Sequence, residues 1–234
     1  MKHKLNYSRS QIYQDCAFAQ CVHIAAIPRL YLIAYERSWD QMNYSFQSYY
    51  STDGTITFDL QNGMLVGALR KNDSARMKEY PGKNVQTFFR DADESIYQLA
   101  QNEALQYLLM SFEEKVKKSL FSIKTKKLVI PVVTTAFWSE GDDIYSSDDE
   151  NAFLENGGKY INEICTSKNK LIECLTEYYE LTTEELNFAE TLFEFKVSGE
   201  SKLSKELFTG ISSEESKGYE SFLSALSDFH FEVA

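Results

Sequence analysis

Residues 43–69 read NYSFQSYYSTDGTITFDLQNGMLVGAL, and their alternation decides the fold class. Tyr44, Phe46 and Tyr50 fall on one face at period two, Ile56, Phe58 and Leu60 repeat the pattern, and Met64–Leu69 makes a third ribbon. Asp53-Gly54 and Asn62-Gly63 carry the chemistry of hairpin turns, which need positive φ at their central positions. Just upstream, Arg29–Glu36 (RLYLIAYE) is a nearly continuous apolar run that reads as a buried strand. Together these segments predict an antiparallel meander of about four strands.

Upstream of the strands, Ser8 with Gln11 predicts a capping box for a helix running to about Ala26, which Pro28 then stops. Downstream, residues 70–90 read as a long loop centred on Pro81-Gly82. From Asp93 to about Phe121, Ile96, Leu99, Leu105, Leu108, Leu109, Phe112, Val116 and Leu120 recur near helical spacing. An acidic first turn and Lys115, Lys117 and Lys118 near the end suit the macrodipole of such a helix. Phe46, Phe58 and Leu60 are expected to face a core shared with its apolar side. Lys127–Trp138 reads as a further strand, with Pro131 favouring an edge or a bulge. Beyond it the chain reads as mainly helical. Thr182 with Glu185 makes a second capping box, and Ser213 precedes a stripe of Tyr219, Phe222, Leu223 and Leu226. The expected fold is α+β: an N-terminal helix, the meander packed on a long amphipathic helix, a further strand, and an acidic helical C-terminal region. The acidic connector SEGDDIYSSDDEN (139–151) suggests a division into 1–139 and 140–234, with one domain as the alternative.

The chain has 234 residues, 43% hydrophobic and 25% charged, with fifteen Tyr, sixteen Phe and three Pro. That balance argues against disorder and allows a substantial core. No apolar run approaches the roughly 20 residues of a membrane span. The N-terminus lacks the apolar region of a secretory signal, and Cys16, Cys21, Cys165 and Cys174 lack both CxxC spacing and disulfide density. Cytoplasmic residence follows as an expectation. The Lys-, Asn-, Tyr- and Ile-rich, Pro-poor composition suits an AT-rich microbial or phage genome.

Charge is distributed unevenly. Residues 1–117 carry 13 basic and 13 acidic side chains, whereas 118–234 carry 11 and 22. A neutral half joined to an anionic half predicts a face for a basic protein partner, with a merely solubilising surface as the plain alternative. Asp142, Asp143, Asp148, Asp149 and Glu150 are the candidate partner-binding acids. Their spacing does not match a calcium-binding EF-hand loop, so no metal is expected there. Arg70, Lys71, Arg76, Lys78 and Lys83 form a candidate basic patch, and a second basic stretch spans 115–127. Such patches serve phosphate contacts, but the chain's pI of about 4.9 disfavours direct nucleic-acid binding.

Glu194-Phe195-Lys196 is the one catalytic candidate. On a strand, an E-x-K places its carboxylate and lysine on the same side. The tripeptide resembles the core of metal-dependent nucleases of the PD-(D/E)xK type, which implies a Mg²⁺ held by Glu194 and a second acid, with Lys196 orienting water. Glu140, Asp142 and Asp143 are the available second acids. Against this, Leu186, Ala189, Glu190 and Phe193 continue a helical pattern, and on a helix Glu194 and Lys196 face about 200° apart. His3, His23 and His230 lack a nucleophile context, His23 reads as a core residue, and no phosphate-cradling glycine loop is present, so no cofactor is expected. The leading expectation is a non-enzymatic acidic protein, of the inhibitor or immunity kind or a complex subunit. The alternatives are the nuclease, and an accessory subunit of a nucleic-acid-associated defence complex whose basic and acidic halves dock head to tail.

Overall fold

The meander is present, with one of its strands exchanged for another. The computed structural model describes residues 1–48, 51–119 and 122–234. Its N-terminal elements are β1 (His3–Ser8), α1 (Arg9–Ala26), β2 (Arg37–Asp40), β3 (Asn43–Ser48), β4 (Thr52–Asp59) and β5 (Met64–Lys71). There follow α2 (Glu94–Asn102), β6 (Leu109–Ser119), β7 (Ser122–Pro131), β8 (Thr135–Glu140) and β9 (Asp143–Ser146). The C-terminal part holds α3 (Glu150–Phe153), α4 (Lys159–Ile164), α5 (Lys168–Tyr179), α6 (Thr183–Ser198), β10 (Lys202–Leu203), α7 (Tyr219–Asp228) and β11 (Glu232–Val233). The fold is α+β, built on a seven-stranded sheet in the order β1-β9-β8-β5-β4-β3-β2, every neighbouring pair antiparallel.

Period-two alternation gives this sheet two apolar faces. Tyr44, Phe46, Ile56, Phe58, Leu65, Leu69 and Phe137 belong to one core, packed with α1 and the C-terminal helices. Val66, Ala68, Ala136 and Trp138 belong to the other, under α2 and short 3₁₀ turns at 85–89 and 104–108. Helix α1 is the centre of the first core. Ser8 caps it through the Gln11 N–H at 3.1 Å, and every residue from Cys16 to Ala26 is buried. A helix apolar all round is a helix covered all round. Tyr13 meets Phe58 of the sheet edge-on at 5.3 Å, and on the far side Phe18 meets Phe193 of α6 at 5.4 Å.

Several expectations are corrected. Arg29–Glu36 is not a strand: after Pro28 the chain turns through a 3₁₀ segment at Tyr31–Ile33, and the four-residue β2 takes the strand's place. Asp53-Gly54 is not a turn but the interior of β4. A Cβ on Gly54 would lie 2.5 Å from Cζ of Phe46, so the glycine clears a ring rather than supplying positive φ. Tyr50 lies outside the described residues. Asn62-Gly63 does turn the chain, with Gly63 at φ 66° and Asn62 N–H bonded to Asp59. Leu60 sits in that turn and is exposed.

The helix expected over 93–121 ends at Asn102, and its second half is the β6–β7 hairpin. The expected strand 127–138 is divided between β7, which stops at Pro131, and β8. Leu120 and Phe121 lie outside the described residues. Phe46 and Phe58 therefore share their core with α1, and α2 covers the opposite face. The 139/140 division falls inside the β8–β9 hairpin, whose second strand pairs with β1. At the C-terminus the Thr182–Glu185 capping box is complete and residues 186–197 are helical. Ser213 closes a small turn with Ser216, and α7 begins only at Tyr219. No helix among the described residues is long and apolar enough to cross a membrane.

Candidate functional site

Four of the five connector acids are engaged by groups of the same chain. Asp142 accepts from the Ser10 N–H at 3.0 Å and from its hydroxyl at 2.7 Å, bonds that hold its carboxyl below the usual carboxylate range. Asp143 pairs with Lys4 at 2.8 Å, an exposed contact worth little. Asp149 caps α3 by accepting from the Ala152 N–H, and Glu150 stands exposed in its first turn. Asp148 is the most enclosed of the five. It accepts from both terminal nitrogens of Arg76 at 2.6 and 2.9 Å and from the Thr135 hydroxyl at 2.7 Å.

The predicted basic patch is committed in the same way. Arg70 pairs with Asp53 across β4 and β5, Lys83 with Glu79 at 2.6 Å, and Lys71 donates to the Glu155 carbonyl at 3.1 Å. Lys78 alone of the five is exposed without an ion pair among the described residues. Basic and acidic stretches thus meet within one chain, around a cleft of about 340 Å³ lined by Lys71, Ser74, Arg76, Glu155 and Asn156. Gly157, at φ 135°, turns the chain into it, and Ser74 donates to Asn156 there. Removing one partner of such a pair strands the other charge. Asp148→Ala should cost about 2–3 kcal/mol in urea unfolding, below the range for fully buried pairs, while Glu150→Lys costs less than about 0.5.

Glu194 and Lys196 are not brought together. Both lie on α6, where Glu194 is exposed, whereas the Lys196 ammonium donates to the Phe229 carbonyl at 2.9 Å and lies over the Phe229 ring at 4.2 Å. Among the described residues no carboxylate pair forms there to hold a metal, because the capping box sets this segment as helix.

The surface that the sequence concealed is the misread segment 29–36. Arg29 anchors it: Nε reaches Glu185 at 2.8 Å, and Nη2 reaches Glu185 at 3.0 Å and the Tyr179 carbonyl at 2.8 Å. Glu185 is itself the capping-box residue of α6, so this pair joins the end of α1 to the α5–α6 turn. Leu30, Ile33 and Ala34 pack against the core, which turns their neighbours outward. Tyr31, Leu32 and Tyr35 are 42%, 64% and 72% exposed. Tyr178, also exposed, donates to Glu36 at 3.2 Å beside them. Exposed acids flank the segment: Glu177 and Glu180 at the end of α5 and Asp228 at the end of α7.

Beneath this segment lies an enclosed polar group. Arg37 is sandwiched by tyrosines, its guanidinium 5.4 Å from the Tyr179 ring centre and 6.0 Å from that of Tyr160. Nε donates to the Tyr160 hydroxyl at 3.3 Å, Nη1 donates to Tyr179, and Tyr160 and Tyr44 share a 2.8 Å hydrogen bond. His23, fully buried on α1, has Nδ1 3.1 Å from the Tyr179 hydroxyl. Between β2 and α7 opens a groove of about 250 Å³, lined by Gln20, Tyr35, Arg37, Ser38, Trp39 and Asp228 among others. No protein-family model matches the chain, and neither the curated proteins nor the solved structures give a match to it.

Proposed function

We propose that the chain is a non-enzymatic cytoplasmic binding protein, of the inhibitor or immunity kind or a complex subunit, that takes a basic protein partner on the Tyr31–Tyr35 surface. The observation that carries this reading is the exposure of Tyr31, Leu32 and Tyr35 on one short segment, with Tyr178 tied beside them through Glu36. Contiguous exposed apolar side chains mark interaction sites, and tyrosine is a preferred anchor in them. Glu173, Glu177, Glu184, Glu194 and Glu220 are exposed on the neighbouring helices with no ion pair among the described residues. Such a field steers a cationic partner and speeds association. Four free cysteines, three of them buried, are consistent with a reducing compartment.

The test is photocrosslinking in the cells that produce the protein, with a photoreactive residue at position 32 or 35 and a control at exposed Leu60. A basic protein captured at 32 and 35 but not at 60 is the expected result. Leu32→Ala and Tyr35→Ala should each weaken that complex by about tenfold or more without lowering the melting temperature. Charge reversal at Glu177 should slow association rather than speed dissociation, and raised salt should do the same. Equal capture at all three positions, or capture of acidic proteins only, refutes this surface.

A further inference from the structure

Arg37 poses a problem that its surroundings leave unsolved. Of the other partly buried arginines, Arg70 has Asp53 and Arg76 has Asp148, while Arg9 donates to the Gly63 carbonyl. Arg37 has only tyrosine hydroxyls, and its Nη2 donates to nothing among the described residues. Acids are not scarce, because the chain has 35 of them. A partly buried guanidinium is stable when its donors meet acceptors, and a carboxylate is the acceptor that fits its planar fork.

A second unsatisfied group lines the same groove. Gln20 sits on the central helix at 1% exposure, and its Oε1 has no hydrogen-bond partner among the described residues. A buried acceptor left unpaired costs about 1–3 kcal/mol, and of the several such side-chain atoms among the described residues this is the one whose residue lines the groove. Around these two stand the hydroxyl-bearing Ser38, Ser221 and Ser224, and the rings of Tyr35 and Trp39. The volume, about 250 Å³, is below that of sites for drug-sized molecules and suits a ligand of a few carbons.

We propose that the groove between β2 and α7 binds a small monocarboxylate with a neighbouring N–H or O–H, its carboxylate on Arg37 and its donor on Gln20. Asp228, which also lines the groove, disfavours a dianion and favours an uncharged or cationic second group. The same chemistry is found in a free amino or hydroxy acid and in the carboxyl end of a peptide. This site adjoins the partner surface proposed above and shares Tyr35 with it, but its ligand test does not rest on that reading, and either proposal can fail alone.

The test is an NMR titration of the ¹⁵N-labelled full chain with glycolate, glycine, N-acetylglycine and N-acetylglycinamide. Resonances of the Trp39 indole N–H and the Gln20 side-chain amide report on the groove. Saturable shifts are expected with the carboxylates and none with N-acetylglycinamide, which has the donor but no charge. Tighter binding of N-acetylglycine than of glycine or glycolate identifies a peptide end, and the reverse order a free acid. Arg37→Lys should weaken binding about tenfold, the loss of one fork contact of ~1.4 kcal/mol. Gln20→Leu should weaken glycolate but not acetate, which lacks the donor. If no carboxylate gives a saturable shift, or the neutral amide shifts the same resonances equally, the proposal falls, whatever the variants do.

Discussion

Between pH 7 and pH 4 the protein should lose roughly 3 kcal/mol of stability through His23 alone, about 1.36 kcal/mol for each pH unit below the ordinary histidine value. The ring is fully buried, Nε2 has no hydrogen-bond partner among the described residues, and Arg37 stands nearby. Burial first, and the Arg37 charge second, push its pKa down to about 3. An unfolded chain restores it to about 6.5, so between those values the unfolded state holds the extra proton. Stability is therefore fully present above pH 6.5 and declines as pH falls toward 3. Asp15 works in the opposite sense, because burial raises its carboxyl to about 6 and its protonation relieves a half-buried charge. The clean measurement is the difference between wild type and His23→Gln in urea unfolding at pH 7, 5.5 and 4. The wild type should lose the greater stability at each step, and parallel curves for the two proteins would show that the imidazole does not carry the acid sensitivity.

Phe58→Ala should cost about 3–5 kcal/mol, the usual range for a buried phenylalanine and a large part of a small protein's total stability. Phe58 stacks on Trp39 with ring centres 5.4 Å apart and takes the edge of Tyr13 at 5.3 Å. Truncation opens a cavity where β2, β4 and α1 meet, and a rigid aromatic cluster collapses into it poorly. Leu60→Ala, in the exposed turn two residues on, should cost less than about 0.5 kcal/mol. A Phe58→Ala cost under about 1 kcal/mol would mean that the sheet face is held by other contacts.

Legibility in the sequence followed the strength of the local signal. Caps at Ser8 and Thr182 and the period-two run of 43–69 are local, and each produced the element it announced. The 93–121 segment failed because Leu108, Phe112 and Val116 satisfy period four and period two alike. What settles it as a hairpin is pairing across the turn, where Glu113 stands opposite Lys127 and Glu114 opposite Lys126. The candidate surface was hidden for a related reason. RLYLIAYE has the composition of a buried strand, and the contacts that turn its aromatic side chains outward, Leu30, Ile33 and Ala34 on the core and Arg29 on Glu185, 156 residues away, are tertiary. The contacts of the connector acids within the chain were not legible, because a charge count carries no information about partners. Asp148 finds Arg76 and Asp142 finds Ser10 only once the sheet closes.

Helix α1, covered on all sides, has a consequence for biosynthesis. It is made early, yet α6, the helix that covers its far side, lies some 170 positions later in translation. At about 5–20 residues per second, the wait lasts roughly ten to thirty seconds. Over that interval the stretch from Cys16 to Ile27 can meet strands β2 to β5, but its far side has no helix to shelter it. β1 waits similarly, since its partner strand among the described residues begins at Asp143. The core around α1 is therefore completed only after the final third of the chain has emerged.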